Sequence, residues 1–215
     1  LTVGIFVLGI WLLAFYASRI LREDLQQMLG QQQFASVSVM AQEINDRLSD
    51  RLQAVESIAK QVTPAVLADA VALQTLLEQR PLLQLLFNGG VFVTGANGTA
   101  IADVPRSAGR IGTNYLDREF VAVTLKQGLT VIGRPIMGKK LQAPIFGISA
   151  PIRDGKGQVI GALVGAINLG QPSFLDQIVH GRYGQTGSYV LIAGNGDSIF
   201  KRLMATIGRD DLGRD

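Results

Sequence analysis

Apolar residues fill the start of the chain, LTVGIFVLGIWLLAFYAS, without a single charge through position 18. At 1.5 Å per helical residue this run spans roughly 27 Å, close to the ~30 Å hydrocarbon core of a bilayer. The pattern predicts a membrane-spanning helix over residues 1–18. Tyr16 sits near its end, where an amphipathic ring suits the membrane interface, and Arg19 and Arg22 mark the exit. A cleaved leader is the competing reading. Cutting after Ala17 would put Phe15 at a position that favours small residues. The flank before Leu1 is not part of the sequence, so loop charges set no orientation.

The period then becomes helical and amphipathic. Val37, Met40, Ile44, Leu48, Leu52, Val55, Ile58 and Val62 recur at a mean spacing of about 3.6 residues. Gln42, Glu43, Asp46, Arg47, Asp50, Arg51 and Lys60 occupy the other face. One long helix is predicted over residues 19–62, with a bend where Gly30 and Gln31-Gln32-Gln33 weaken the pattern. It serves as a core helix of its own domain, as a rod pairing with a sister chain, or as both along different stretches. Thr63-Pro64 resets the chain, since Thr caps a helix and Pro fits its first position. Short helical segments follow through Val66, Leu67 and Ala70, over residues 73–79 and over residues 82–87.

After Gly90 the period shortens to that of strands. Residues 91–94 and 99–104 read as a hairpin around Asn97-Gly98, the strongest short hairpin signal. A loop with Gly and Arg covers residues 105–113. Residues 115–127 read as a helix stopped by Gly128, and residues 129–132 as a strand. Residues 145–152 and 158–169 read as two longer strands joined by the polar turn Arg153-Asp154-Gly155-Lys156-Gly157. Residues 172–180 read as a short helix, with His180 suited to its C-terminal end. The first hairpin then recurs: VFVTGANG at Val91 is echoed by YVLIAGNG at Tyr189, 98 residues on. The echo points to a second copy of one α+β unit.

Composition narrows the functional classes. Hydrophobic residues make up 47% of the chain and charged ones 17%, so the chain folds. The net charge of +3 comes from scattered mixed groups with no basic stripe, which argues against nucleic acid. Cysteine is absent and histidine occurs once, so no disulfide, no Cys-ligated zinc and no His-based metal cluster is expected, and no cofactor. Neither a Gly-x-Ser-x-Gly elbow nor a phosphate-binding loop is present, and no catalysis is expected within these residues. Leu1 in place of Met, and the ending at Arg214-Asp215, read as a piece of a longer protein.

The order of apolar segment, long helix, α+β unit and the start of another resembles the double Cache family of PAS-like extracytoplasmic sensors. NYLDREF, residues 114–120, is similar to that family's helix entry. SAPIRDGKGQVIG, residues 149–161, is similar to its central hairpin, and GALVGAINL, residues 161–169, to the strand that follows. The resemblance implies an α+β fold with an antiparallel PAS-like sheet. The divisions are an anchor over residues 1–18, a signalling helix over 19–62, a membrane-distal sensor unit over 63–170, and a connection with the start of a second unit over 171–215. It implies small-molecule sensing outside the bacterial inner membrane, in the periplasm, by a homodimer. The output would be a histidine kinase, a cyclic-di-GMP enzyme (cyclase or phosphodiesterase) or a chemotaxis domain elsewhere in the protein.

Amino-acid-binding members hold the ligand carboxylate with an Arg and two aromatics, and the amine with a later Asp. Arg118 matches the Arg and Phe120 the first aromatic, while Val121 takes the second place and Ala166 that of the Asp. The departure at Ala166 argues against a free amino acid. Arg118 fits a small organic anion, because its planar fork donates two hydrogen bonds to a carboxylate. Tyr115, Phe120, Phe146 and Ser149 are the further candidate ligand contacts, and Arg134 with Lys139-Lys140 adds positive field or forms a solvated loop. A surface pairing of Arg118 with Asp117 or Glu119 is the competing reading. For the domain as a whole the alternative is a structural, dimerising or partner-binding role without a small ligand.

Overall fold

The computed structural model describes residues 2–176, 182–183 and 187–188. His180 and the repeated hairpin after Tyr189 lie outside the described residues. The chain divides into Leu1–Glu43 and Ile44–Asp215.

The first unit is the N-terminal part of α1 (Thr2–Ala59), a helix that runs on through Gly30 and the three glutamines. Trp11, Leu13, Phe15 and Tyr16 are exposed on it. Among the described residues no helix is long and apolar enough to cross a membrane.

The second unit is built on a six-stranded antiparallel sheet. Its strands are β1 (Val91–Gly95), β2 (Ala100–Val104), β3 (Val131–Ile132), β4 (Ile136–Met137), β5 (Pro144–Arg153) and β6 (Val159–Asn168). They lie in the order β2-β1-β6-β5-β3, with β4 also on β5. A separate pair, β7 (Arg182–Tyr183) and β8 (Gly187–Ser188), lies further on. The Asn97-Gly98 turn closes the β1–β2 hairpin as the sequence predicts, with Gly98 at φ +75°. The long strands β5 and β6 fall within a residue or so of expectation, whereas the short β4 carries too few residues to show a period.

Alternation along each strand sends side chains to opposite faces. On one face Val91, Val93, Phe146, Ile148, Ile152, Leu163 and Ile167 join a core with Ile44, Leu48, Val55 and Ile58 of α1. Short helices seal this layer: α2 (Pro64–Ala68), α3 (Ala70–Glu78) and α4 (Pro81–Leu86). The Thr63 hydroxyl accepts the Val66 N–H at 3.3 Å and caps α2 as expected. Asp69 caps α3 by accepting from Val71 and Ala72 at 2.9 and 3.1 Å. Arg51, read from sequence as part of the polar face of α1, is buried. It donates to the carbonyls of Leu86 and Arg47 at 3.0 and 2.7 Å, and its guanidinium lies 3.9 Å from the Phe174 ring centre.

The other face carries a smaller core of Phe92, Ala100, Tyr115, Phe120, Val121 and Val164 beneath α5 (Glu119–Gln127). This helix starts four residues later than the sequence pattern suggests. The Asn114 side chain accepts the Leu116 N–H at 2.9 Å, which makes a turn, and Arg118 stands at the N-cap in extended geometry. Gly128 ends α5 in the left-handed conformation.

Two glycines on opposite faces of the sheet set its packing. A Cβ on Gly165 of β6 would lie 2.3 Å from the Phe87 ring, and one on Gly147 of β5 would lie 2.6 Å from the Phe120 ring. The missing side chains let both rings seat against the sheet. Gly165→Ala is therefore expected to destabilise the domain by about 1–3 kcal/mol, the usual range for overpacking. Urea unfolding of the two proteins reads this directly, and an unchanged midpoint would contradict the packing.

Candidate functional site

The α5 face of the sheet holds a cavity of about 20 Å³, room for roughly one water molecule. Its floor is Val164 and Ala166 of β6 with Gly147 of β5, all on one side of the pleat. Their small size leaves the space. Phe92 of β1, Tyr115 and Phe120 form the aromatic walls, and Arg110, Arg118, Lys139 and Lys140 bring positive charge.

Arg110 is fixed from below. It is 3% exposed and pairs with the fully buried Asp103 carboxylate at 2.7 Å, while its backbone N–H donates to the same carboxylate at 2.8 Å. Its remaining terminal nitrogen donates to the Gly89 carbonyl. Burial pushes the Asp103 carboxyl up, against the pull of Arg110, and burial pushes the Arg110 guanidinium down, against the pull of Asp103. Each charge is held by the other in a place that disfavours both. Gln74 of α3 closes the network. It donates to the Asp103 carbonyl at 2.8 Å and accepts the Asp103 N–H at 3.0 Å.

From this pair rises a row of two aromatic rings with a cation at each end. The Arg110 guanidinium lies 5.3 Å from the Phe92 ring centre, and Phe92 and Tyr115 centres are 4.6 Å apart. The Lys139 ammonium lies 5.5 Å from the far ring, Tyr115. Cations over aromatic faces are attracted by the ring quadrupole. Burial pushes the Tyr115 hydroxyl above its ordinary range.

At the mouth, Lys139 donates to the Asn114 carbonyl and to Asp117, both at 2.7 Å. It is thus tied to α5's entry although, like Lys140, it is exposed. The opposite carboxylate oxygen of Asp117 lies 3.8 Å from Arg118 Nε, too far for a hydrogen bond. Desolvation is the largest single influence and raises the Asp117 carboxyl, but the Lys139 hydrogen bond and the two nearby cations together outweigh it and hold it below its usual range.

Of the residues singled out from sequence, Arg118, Tyr115 and Phe120 meet at this cavity, and Ala166 lies on its floor. Phe146 points to the opposite face and packs in the core with α1. Ser149 lies on the cavity side but is fully buried and does not line the cavity. Thr124 donates to its carbonyl at 3.2 Å, and its own hydroxyl has no hydrogen-bond partner. Arg134 is exposed and outside the lining. Sequence reading missed Arg110 and Phe92. The available signal was Asp103, a carboxylate inside an apolar strand that requires a buried cation.

A second cavity, about 370 Å³, is walled by Arg47 and Arg51 of α1, by Leu85, Leu86, Asn88 and Ile167, and by residues 172–174. It is larger, but Arg51 is already engaged with two carbonyls and a ring, and Arg47 also has a partner. In the smaller cavity Arg118 has only the long 3.8 Å contact with Asp117, and Lys140 has no ion-pair partner among the described residues. No group of three or more His, Cys, Asp or Glu among the described residues could hold a metal ion.

These features coincide with a known class. The Cache domain family profile (dCache_1) matches residues 21–211, and the chain belongs to that family. Its fold is shared with solved ligand-binding domains of bacterial chemoreceptors. The Pseudomonas aeruginosa amino-acid chemoreceptor PctC, solved with GABA, is 25% identical with a TM-score of 0.54, covering 62% of this chain and 60% of that one. PctB of the same organism, solved with L-Arg, is 26% identical with a TM-score of 0.51, covering 62% and 54%. The Pseudomonas fluorescens chemoreceptor CtaA, solved with L-serine, is 21% identical with a TM-score of 0.58, covering 76% and 66%. The chain thus spans about two thirds or less of the length of these domains. No curated protein sequence matches it.

The buried pair generates a stability prediction. Asp103→Ala leaves the Arg110 charge buried and unpaired, which is expected to cost about 3–5 kcal/mol. Replacing both, as Asp103→Leu with Arg110→Met, is expected to cost less than the single change. Denaturant unfolding of both variants checks the order, and a double variant weaker than Asp103→Ala would contradict it.

Proposed function

We propose that this chain is the extracytoplasmic sensing region of a transmembrane signalling receptor and that the cavity beneath α5 takes a small organic carboxylate. The observation that carries the reading is the grouping of Arg118, Lys139 and Lys140 with Phe92 and Tyr115 around one cavity. An apolar pocket with a few convergent polar groups is the usual form of a small-molecule site. PctC and PctB, solved with GABA and L-Arg, support a small ligand that bears a carboxylate. An ammonium group on the ligand is disfavoured here. It would face the cationic mouth, and the floor offers Ala166 and no carboxylate.

Residues 1–18 serve as the membrane anchor in this reading, supported by their lack of charge and by the exposure of Trp11, Leu13, Phe15 and Tyr16. The sensing region lies in the periplasm, and the receptor acts as a homodimer through α1. These residues bind and do not catalyse. The output belongs to a further module, a histidine kinase or a cyclic-di-GMP enzyme. The cavity and α1 lie on opposite faces of one sheet and share β6, so a ligand that changes how α5 seats on the sheet changes the surface against which α1 packs. Only a ligand that binds the two states differently transmits anything.

The small volume of about 20 Å³ favours a second reading, a partner-binding or dimerising domain with no small ligand. A thermal-shift experiment on the full chain in detergent separates them, with acetate, succinate, GABA and L-arginine as probes. Binding to the folded state raises the melting temperature, by the equivalent of about 2.7 kcal/mol at 100 times Kd. The expected result is a rise with succinate that disappears in Arg118→Ala, while that variant still unfolds cooperatively. Cooperative melting that no carboxylate moves would favour the second reading.

A further inference from the structure

The mouth of the cavity is already bridged by an anion from the chain itself. One Asp117 carboxylate oxygen lies 2.7 Å from Lys139 Nζ, and the other lies 3.8 Å from Arg118 Nε. These are two of the cations that would meet an incoming carboxylate. Asp117 is 56% exposed and Lys139 28%, so neither is locked in by burial. The same lysine fastens a loop. Residues 138–143 form the turn between β4 and β5, closed on itself by the Gly138 N–H donating to Ala143 at 3.0 Å. Gly138, Lys139, Lys140 and Leu141 of that turn all line the cavity. Beyond its own strands, this loop is joined by hydrogen bonds to the α5 entry through Lys139, at Asn114 and Asp117. With this bridge in place the cavity has room for about one water.

We infer that Asp117 is an internal competitor of the ligand: its carboxylate occupies the charge position of the bound anion, and a ligand enters by displacing it from Lys139 and Arg118 and freeing the 138–143 turn. The inference rests on the anion-binding reading of this cavity and deepens it. Asp117 is a specificity-setting residue in this scheme, since it sets how strongly an anion must bind before the mouth opens. A like charge also remains beside the site after displacement and repels any anionic ligand, a dianion more than a monoanion.

The test is calorimetric titration of the full chain with succinate, comparing Asp117→Asn and Glu119→Gln with the parent. Glu119 is an exposed acid two residues away, and among the described residues Lys139 pairs with Asp117 and not with it, so its loss changes net charge equally without removing the bridge. Asp117→Asn is expected to bind succinate about five- to tenfold more tightly, the scale of one unit-charge contact near 4 Å in a solvent-exposed setting. Glu119→Gln is expected to stay within about twofold, since exposed charges farther off are screened. Without ligand, Asp117→Asn is expected to speed amide hydrogen exchange in residues 138–143 and leave β5 and β6 unchanged. Equal or weaker binding by Asp117→Asn, or equal tightening by Glu119→Gln, overturns the competitor role while leaving anion binding standing. Unchanged exchange in the turn overturns the latch whatever the ligand. If no variant binds succinate, acetate or sulfate, the anion-binding reading of the cavity falls and this inference falls with it.

Discussion

The domain depends on β6 being buried along both of its faces. Antiparallel sheets often leave one face to water, and their strands then alternate apolar and polar. In Val159–Asn168 eight consecutive residues, from Gly161 to Asn168, are buried. Leu163 and Ile167 face α1, Val164 and Ala166 face α5, and glycines at 161 and 165 admit Leu67 of α2 and Phe87 just beyond α4. A strand so placed cannot shift register by one residue without exchanging its two surfaces. The same strand therefore forms the cavity floor and part of the surface on which the long helix rests.

Electrostatics complete the site on top of that floor. The Arg110 guanidinium is held in place by the buried Asp103 carboxylate and the Gly89 carbonyl, so it lends positive field from beneath the aromatic rings without being available as a mobile ligand. Arg118 and the two lysines stand at the exposed end, where hydration keeps their interactions modest and adjustable. The division gives a rigid base and a labile mouth. In the proposed reading, that division suits a site that holds an anion and changes when it does.

Much of the architecture was legible in the sequence because its signals are local. The 3.6-residue period from Ile44 to Val62, the Thr63-Pro64 cap, the Asn97-Gly98 turn and the two long strands follow from short-range physics. The site was legible only in part. Arg118, Tyr115 and Phe120 were found through the segment NYLDREF, but Phe146 and Ser149 lie three apart on one strand, so they cannot face the same cavity. A parity check on β5 already separates them. Arg110 was missed although Asp103, seven residues before it, carries the signal, while its bond to Gly89 and that of Lys139 to Asn114 join partners distant in sequence that no local pattern marks. Arg51 is the converse case. Its position on the helix is polar by pattern, and a carbonyl from α4 together with the Phe174 ring makes its burial tolerable.

The family assignment supplies the class of protein, and the chemistry at the α5 face supplies the claim that is particular to this chain: a carboxylate is held at Arg118 and not at the roomier cavity beside Arg51. Side-chain nitrogen NMR separates these sites, because each arginine Nε–H reports its own hydrogen-bond acceptor. In a succinate titration of the full chain, the account predicts a saturable shift of the Arg118 Nε resonance while that of Arg51, already bonded to Leu86, stays fixed. A shift at Arg51 with none at Arg118 would contradict it.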